Sequence, residues 1–424
     1  MDTAEVGQAP DFCFFMLAAA AGVCQNAGML PFEYHNTTRY VYGEGSHSNI
    51  GPLLRPHTDK VLLHYGSGSI KRSGLFDTVT ASLQAAGISY CELGGVCANP
   101  RVELVQQGIC LCREQQIGFI LAVGGGSVID SAKAIALGVP HQGDVWKLYT
   151  QEEEFTGTPL PVACVLTLPA AGSENSPNTV LTHEQSTRKL GYGHPRLRPL
   201  LSIVDPTLFL TLPAHQMANG AADMLCHVFE RYFTNTPDTA LSDALSEATM
   251  RTIMQQADIL SRDLSNLDAW GQLALSGTIA HNNLLGVGRE QSWACHALEH
   301  ELSAVYDVAH GAGLAVIIPP YLELIAGDNP GIVAQWAVNV MGVTPSRDTQ
   351  AVIREGIARL RRWYRGLGLP QTMQELGIPA DADFAAMARA ACTLKGGAAH
   401  PHLPGVRNIT PAEAESIYRA CCHM

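Results

Sequence analysis

Two segments far apart in the sequence carry aspartate and histidine at the spacing of one helical turn. Asp223 and His227 stand four positions apart in a helical pattern, and His296 and His300 repeat that spacing, with His310 following ten residues later. Side chains four positions apart on a helix project from one face. Carboxylate and imidazole ligands without thiolate suit Fe(II), Zn, Co or Mn, so the pattern predicts a divalent metal site.

The spacing leaves open which histidines bind the ion. A single histidine is more often a hydrogen-bonded core or surface residue than a ligand, but three imidazoles within fifteen residues, together with the earlier aspartate and histidine, favour a metal site. One carboxylate and three imidazoles can hold a divalent ion and leave a position for a substrate oxygen, as a Lewis acid requires. The candidate imidazole ligands are His227, His296, His300 and His310.

Two glycine-rich turns each follow an apolar segment that is typical of a strand. Gly124 to Ser127 precede a helical pattern, and Gly66, Ser67, Gly68 and Ser69 follow an earlier apolar segment. Glycine adopts backbone conformations that a Cβ forbids, and a helix N-terminus attracts phosphate. One such turn is also compatible with a tight bend that binds nothing. Two of them at the ends of strands in one sheet predict a dinucleotide site, with Gly66, Gly68 and Ser69 among its contacts.

The residues after the first of these strands favour NADP(H), with NAD(H) as the alternative. Many NAD sites place an acidic side chain there for the ribose hydroxyl, and that carboxylate would repel a 2′-phosphate. The stretch from Tyr65 to Ser73 contains no acid and offers Ser67, Ser69, Lys71 and Arg72 instead. The two basic residues are equally compatible with a solvated helix start.

Two architectures follow one another along the chain. Between about residues 38 and 206, apolar segments alternate with helical patterns, which indicates a parallel sheet covered by helices. Beyond residue 207 the apolar residues recur at helical spacing. We therefore predict an N-terminal arm at 1–31, an α/β dinucleotide-binding domain at 32–206 and an all-helical metal-binding and substrate domain at 207–424. The predicted strands are 61–65, 88–93, 118–123, 161–167 and 201–204, and the predicted helices are 74–87, 99–115, 127–138, 213–234, 238–262 and 268–285.

Composition excludes several classes of protein. The 424 residues include 27 Lys and Arg against 39 Asp and Glu, a net charge of −12, which argues against a nucleic-acid partner. The longest apolar run, residues 12–24, is too short to span a membrane, and the acidic residues around it do not suit a signal peptide. The 12 cysteines include no Cys-x-x-Cys pair. These features predict a cytoplasmic protein with no membrane partner, whose arm is either a helix docked on the body or a tail recognised by a partner.

Four motifs taken together resemble the iron-containing alcohol dehydrogenase family, especially its butanol dehydrogenase and NADPH-dependent aldehyde reductase branch. The likeness runs from about Phe32 to the C-terminus. Two departures stand in it: Ala171 occupies a position where many relatives carry threonine, and Ser67 replaces a glycine of the first turn. The motifs are Tyr65 to Lys71, Gly124 to Asp130, Thr167 to Glu174, and Cys295 to Ala304 followed by His310 and Gly311.

The resemblance implies a dehydroquinate synthase-like fold and a role for each motif. It implies that Asp223, His227, His296 and His310 hold the metal, Fe(II) or else Zn. It places His300 one turn away, near the nicotinamide, as a catalytic proton relay. It also implies a homodimer or higher homo-oligomer. The implied cofactor contacts are Gly125, Gly126, Ser127 and Asp130, with Asn99 on the diphosphate side and Thr167 and Lys189 near the adenosine or ribose.

The predicted reaction is metal-dependent hydride transfer between NAD(P)H and a small, uncharged aldehyde or primary alcohol such as butanal or butanol. A metal- and NAD-dependent lyase of the dehydroquinate synthase type is the first alternative, but it needs several basic groups for a phosphorylated substrate. Arg289 is the one fixed positive charge between residues 283 and 310, among apolar neighbours. A metallohydrolase with purely structural glycine turns is the second alternative. The apolar neighbours are Leu284, Leu285, Trp293, Ala297 and Leu298.

Overall fold

The structure is a computed structural model that describes residues 28–422. Most of the predicted N-terminal arm, residues 1–27, therefore lies outside the described residues. Two parts follow one another along the described chain: an α/β part with a parallel sheet and a part made of helices. The predicted fold class is confirmed. The domain boundary predicted at residue 206, between the last strand and the first long helix, stays a prediction.

A six-stranded parallel sheet, in the order β1-β8-β5-β4-β2-β3, forms the centre of the α/β part. The five predicted strands are all present, as β2, β3, β4, β5 and β8. The structure adds an edge strand, β1, and a separate antiparallel hairpin of β6 and β7. The strands are β1 Arg39–Tyr42, β2 Lys60–Gly66, β3 Ser89–Val96, β4 Ile120–Gly125, β5 Val162–Leu168, β6 Asn178–His183, β7 Arg188–Gly193 and β8 Leu201–Val204.

Helices cover both faces of this sheet, as its near-continuous apolar strands require. Alternate residues of β2 and β4 face opposite ways: Leu63 and Val123 join the buried cluster that includes Val79 of α3, whereas Leu62 and Ala122 join the cluster that contains α4 and α5. The three helices predicted here are confirmed. The helices of this part are α1 Ile50–Leu54, α2 Ser69–Arg72, α3 Leu75–Ala85, α4 Val102–Glu114, α5 Gly126–Gly138 and α6 Val145–Tyr149.

The helical part packs around α7, which is buried along most of its length from Met217 to Tyr232. The three helices predicted here are present as α7, α8 and α9. Among the described helices, none combines the length and the apolar character needed to cross a membrane. The helices are α7 Ala214–Tyr232, α8 Ala240–Leu260, α9 Leu267–His281, α10 Ala294–Tyr306, α11 His310–Ile325, α12 Pro330–Asn339, α13 Thr349–Gly366, α14 Phe384–Gly396 and α15 Pro411–Ala420.

The β6–β7 hairpin connects the two parts. Its register pairs Asn178 with Gly193 and His183 with Arg188. This hairpin was not predicted, because a polar connection and basic residues interrupt its short apolar alternation. It packs against α5 on the sheet side and against α10 on the helical side. This hairpin therefore lies between the helix that begins at the glycine turn and the helix that carries two of the predicted site histidines.

Candidate metal centre and cofactor site

Three helices bring the predicted ligands together. Asp223 and His227 lie on α7, His296 lies on α10, and His310 is the first residue of α11. Gly311 allows α11 to start close to α7, because a Cβ at that position would lie 2.0 Å from the backbone oxygen of Asn219. In the His310-Gly311 pair, the histidine is the predicted ligand, and the glycine lets the backbone approach α7 closely enough to position it.

The three imidazoles surround one carboxylate oxygen. Asp223 Oδ1 lies 3.5 Å from His227 Nδ1, 3.5 Å from His296 Nε2 and 3.8 Å from His310 Nε2. A tetrahedral ion with bonds of about 2.1 Å separates its ligand atoms by about 3.4 Å. The spacing of the atoms from Asp223, His227 and His296 therefore suits a shared cation. His310 also lies in a group with Glu299 and His300, and its role as a fourth ligand stays a prediction.

The polar atoms of this cluster are buried and unsatisfied. Asp223 Oδ1, His227 Nδ1 and His296 Nε2 have no hydrogen-bond partner among the residues that the structure describes. A buried polar atom without a partner costs roughly 1–3 kcal/mol, so three of them converging on one point would be destabilising without a ligand. The donor set and its geometry fit a divalent cation. Burial, reinforced by the neighbouring His281 and His296, lowers the pKa of His227 well below its ordinary value, which keeps its lone pair available.

Each of two predicted ligand histidines, His296 and His310, is oriented by a buried glutamate that was not among the predicted site residues. Glu230 of α7 accepts a hydrogen bond from His296 Nδ1 and one of 3.1 Å from the His296 backbone N–H. Glu299 of α10 accepts one from His310 Nδ1. Such partners fix the ring orientation and increase the basicity of the metal-binding nitrogen. A signal existed, because each glutamate stands three residues after a predicted ligand, His227 or His296, on the same helix.

Glu299 also faces a lysine from the other part of the chain. Burial opposes its charge, but His310 and Lys189 outweigh that effect and lower the pKa of Glu299 to about 2. Lys189 Nζ lies 3.4 Å from Glu299 Oε2 and 3.3 Å from His310 Nδ1. The predicted cofactor residue Lys189 therefore lies at the candidate metal centre, where its ammonium group contacts both Glu299 and His310.

His300 stands next to the cluster. Its ring centroid lies 5.6 Å from that of His310 and 6.2 Å from that of His296. Burial, together with the positive charge of Lys189, lowers the pKa of His300 well below its ordinary value. The ring is therefore a neutral imidazole beside the four predicted ligands, with one nitrogen that can donate and one that can accept.

Two further aromatic residues, His281 and Trp293, pack against the predicted ligand histidines. His281, at the end of α9, meets the His227 ring edge-on with centroids 4.0 Å apart, and its Nε2 lies 3.0 Å from Asn178 Nδ2. Trp293 lies 5.4 Å from the His296 ring. No spacing pattern points to His281, since it joins the site only through the packing of α9 on α7.

The two glycine turns lie at the carboxyl ends of adjacent strands, β2 and β4. Gly68 has a φ of +102°, a conformation that side chains rarely adopt, and α2 begins at the next residue, Ser69. Gly126 begins α5, and a Cβ there would lie 3.3 Å from that of Ala171. Ala171, which stands where many relatives carry threonine, therefore lies directly beside the second turn. Both turns expose backbone N–H groups at the edge where doubly wound sheets bind nucleotides.

The other predicted cofactor residues are placed around these turns. Asp130 lies one helical turn into α5, where one carboxylate oxygen accepts from Ser173 Oγ and the other from the Val180 backbone N–H at 3.0 Å. Thr167 lies near the end of β5. Asn99 has a φ of +54° and donates to Asp307 Oδ1 at 2.9 Å, a contact between the two parts of the chain. These roles toward the cofactor stay predictions.

An acid that the linear sequence did not place near the first turn reaches it from β3. Glu92 Oε2 accepts from Lys71 Nζ at 2.8 Å and from the Tyr65 hydroxyl at 2.9 Å. The hydrogen bond with Glu92 raises the pKa of Lys71. The stretch from Tyr65 to Ser73 does lack an acid, but the sheet supplies one, and it partly neutralises a basic group on which the NADP(H) prediction depends.

Known proteins match the chain along nearly all of its described length. A family model described as iron-containing alcohol dehydrogenase matches residues 37–206, and a model of the C-terminal domain of that family matches residues 217–420. NADH-dependent butanol dehydrogenase A of Clostridium acetobutylicum is 37% identical over 390 residues, which cover 92% of this chain and 98% of that protein. An NADPH-dependent aldehyde reductase of Escherichia coli is 32% identical over 349 residues, 82% of this chain and 89% of the relative.

The fold agrees with solved structures. The crystal structure of NADH-dependent butanol dehydrogenase A from Thermotoga maritima superposes with a TM-score of 0.89 at 33% identity, covering 94% of this chain and all of that one. The pairing of a parallel sheet with a helical domain therefore occurs over the whole length of that solved structure. These relatives differ in the cofactor that their names state.

Proposed function

The chain belongs to the iron-containing alcohol dehydrogenase family, and on that premise we propose how its site works as an NAD(P)-dependent alcohol dehydrogenase and aldehyde reductase. The observation that carries the proposal is the convergence of three imidazole nitrogens on one oxygen of Asp223, beside a sheet with two glycine turns. The dehydrogenase relatives disfavour the lyase alternative, and nothing in the site favours a hydrolase over them.

We assign the metal to Asp223, His227, His296 and His310, with Fe(II) as the ion and Zn as the alternative. When bound, the cation polarises a carbonyl or alkoxide oxygen and the nicotinamide carries the hydride. The protein contributes alignment. Glu230 and Glu299 fix the rings of His296 and His310, so the ligand atoms are held in place before the ion binds.

The sheet side binds the dinucleotide in this proposal. Gly66, Gly68 and Ser69 at the first turn, and Gly125, Gly126 and Ser127 at the second, present backbone N–H groups to the phosphates. The remaining assigned contacts are Asn99, Asp130, Thr167 and Lys189. Because Glu92 pairs with Lys71, the positive charge available to a 2′-phosphate comes chiefly from Arg72. We keep NADP(H) as the favoured cofactor and NAD(H) as the second.

His300 moves the proton in this mechanism. Reduction of an aldehyde leaves an oxygen that must gain a proton, and a neutral imidazole can donate from one nitrogen while it accepts on the other. His300 lies close enough to the ligand histidines to serve a substrate oxygen there, directly or through a ribose hydroxyl. His300 is partly exposed, so the proton that it donates can be replaced from outside the site.

The substrate is small and uncharged, such as butanal or butanol. The one fixed positive charge between residues 283 and 310 is not available to a substrate anion, since the buried Arg289 guanidinium bonds to Asp243 Oδ1 at 2.6 Å and to the carbonyl of Thr239 at 3.0 Å. The half-buried Trp293 and Leu284 remain as apolar neighbours of α7 and α10, the helices that carry Asp223, His227 and His296. A cytoplasmic location and a homodimer or higher homo-oligomer stay predictions.

A panel of short aldehydes, assayed with NADPH and NADH in parallel, tests the proposal. The protein is stripped with a chelator and reconstituted with Fe(II) or Zn before each assay. We expect turnover to require the metal, to favour unbranched uncharged aldehydes and to be higher with NADPH. Full turnover of the stripped protein would contradict the metal assignment, and a preference for aldehydes bearing a carboxylate would contradict the substrate assignment.

A further inference from the structure

The β6–β7 hairpin is hydrogen-bonded to the helix that begins at the second glycine turn. The Val180 backbone N–H donates to Asp130 Oδ2 at 3.0 Å, and Thr179 Oγ1 donates to the Asp130 carbonyl at 2.8 Å. Asp130 lies four residues after Gly126, within the first turns of α5. These two hydrogen bonds attach the first turns of α5 to β6.

A buried lysine on the same helix fixes the start of the hairpin. Lys133 is fully buried, and its Nζ donates to the carbonyls of Ser173 at 2.6 Å, Ser176 at 3.0 Å and Asn178 at 2.8 Å. Burial lowers the pKa of Lys133 to about 8. Three carbonyls of one loop around one amine leave the loop from Ser173 to Asn178 little freedom to move independently of α5.

The other strand of the hairpin reaches the metal centre. Lys189 of β7 lies 3.4 Å from Glu299 Oε2, and the same carboxylate accepts from His310 Nδ1 and from Ser303 Oγ. Lys189, Glu299 and His310 come from three different elements, β7, α10 and α11. A single carboxylate is thus shared between a strand of the hairpin and a proposed metal ligand.

We propose that the β6–β7 hairpin couples dinucleotide binding at the second glycine turn to retention of the metal at His310, with Glu299 as the positioning residue through which the coupling acts. The inference rests on the proposed function, since it takes the dinucleotide and the metal as the two ligands. It adds a linkage between them that neither the ligand set nor the glycine turns imply by themselves.

The direction of the effect follows from the competition for Glu299. In the proposed coupling, the bound dinucleotide engages the start of α5 and Lys189 of the attached hairpin, and so weakens the contact between Lys189 and Glu299. A carboxylate that is less engaged by an ammonium group accepts more strongly from His310 Nδ1–H, and the opposite nitrogen becomes a stronger metal ligand. The dinucleotide should therefore raise the affinity for the metal and slow its loss, and the metal should raise the affinity for the dinucleotide by the same factor as the dinucleotide raises that for the metal.

Glu230 offers a matched control within the same site. It orients His296 as Glu299 orients His310, but it lies on α7 and accepts both the ring and the backbone N–H of His296, entirely within the helical part. Replacing either glutamate with glutamine weakens one ligand. Only the replacement of Glu299 also removes the contact with the hairpin.

The test measures how fast the Fe(II)-loaded enzyme loses iron to excess 2,2′-bipyridyl, with and without saturating NADPH. For the unaltered protein we expect NADPH to slow release on the order of tenfold. Glu230→Gln should release iron about 10- to 100-fold faster in both conditions and keep the same ratio. Glu299→Gln should also release iron faster, but with a ratio close to one.

A wild-type ratio in Glu299→Gln would overturn the proposal, because simple covering of the metal by the dinucleotide would then explain the effect. A ratio of one in the unaltered protein would overturn it as well. If circular dichroism shows that Glu299→Gln does not fold, Lys189→Gln decides, with saturation by NADPH verified by fluorescence titration: a ratio near one supports the coupling and the wild-type ratio refutes it. Turnover with an unchanged ratio defeats only the coupling, whereas absence of both iron binding and turnover defeats the proposed function too.

Discussion

In the proposed function, the metal centre and the glycine turns recognise their ligands by different means. At the metal centre, side chains converge: three imidazoles each place one nitrogen within 3.8 Å of Asp223 Oδ1. Two glutamates bond to two of these rings and fix their orientation. At the turns the proposed ligand contacts the backbone, and residues such as Gly126 and Ala171 contribute because they are small and leave space. One site depends on the chemistry of its residues, the other on the space that they leave.

This difference predicts how each site fails. A substitution at the metal centre removes a donor and should abolish chemistry, whereas a substitution at the turns adds atoms and should weaken binding. The two sites should therefore be separable by measuring metal content and the cofactor KM in the same set of variants.

The largest expected effect is that of His296→Ala. It removes a ligand and leaves Glu230 as a buried carboxylate without its ring partner, so the metal and several kcal/mol of charge stabilisation are lost together. We expect kcat to fall on the order of 10³-fold or more, with metal content near zero by elemental analysis. A variant that kept full turnover without bound metal would show that the cluster is structural.

His300→Ala should separate proton transfer from metal binding. Because His300 is proposed as relay and not as ligand, kcat should fall about 10²- to 10⁴-fold while metal content stays near that of the unaltered protein. Elemental analysis beside steady-state kinetics makes the distinction. Loss of metal as complete as in His296→Ala would mean that His300 is a metal ligand and not the proton relay.

Gly126→Val should affect the turns alone. The added side chain starts 3.3 Å from the Ala171 Cβ and fills space at the start of α5, so the KM for the dinucleotide should rise roughly tenfold or more with metal content unchanged. Gly118→Val is the control. Gly118 precedes β4, the strand that ends just before Gly126, and a Cβ at Gly118 would meet nothing within 4 Å. An equal rise in KM for both variants would argue against a phosphate site at Gly126.

The smallest expected effect concerns stability on the sheet side. Burial lowers the pKa of His64 from 6.5 to about 4, and the neutral ring bonds to Ser131 Oγ and the Leu93 carbonyl, both at 2.8 Å. Between pH 6.5 and 4 the unfolded chain binds a proton that the folded chain does not, so stability falls as the pH falls through this range. Its contribution is fully present above pH 6.5.

Urea unfolding at several pH values measures this contribution. His64→Gln should reduce the loss of stability between pH 6.5 and 4 by up to about 1.4 kcal/mol per pH unit, the amount for one proton. The metal-free protein is the appropriate sample, so that acid release of the metal does not add to the slope. An identical slope in both proteins would place the titration elsewhere.

Much of the fold could be predicted because the periodicity was strong. The apolar strands β2, β4 and β5 and the long helices α7 to α9 have patterns that persist for their whole length. The β6–β7 hairpin was missed because its strands are short and its basic residues read as surface. Its importance comes from Asp130, Lys133 and Glu299, which lie far from it in the sequence and fix it from both sides.

The sequence by itself determined the donor types and the helices that carry them, since residues four apart on a helix must share a face whatever surrounds it. It also determined the two glycine turns and their place after strands. Only the tertiary structure decided that His310 Nε2 lies 3.8 Å from Asp223 Oδ1, that Glu230 and Glu299 bond to His296 and His310, and that Glu92 reaches Lys71. These are contacts between elements, and their distances depend on how helices and strands pack, which local spacing does not encode.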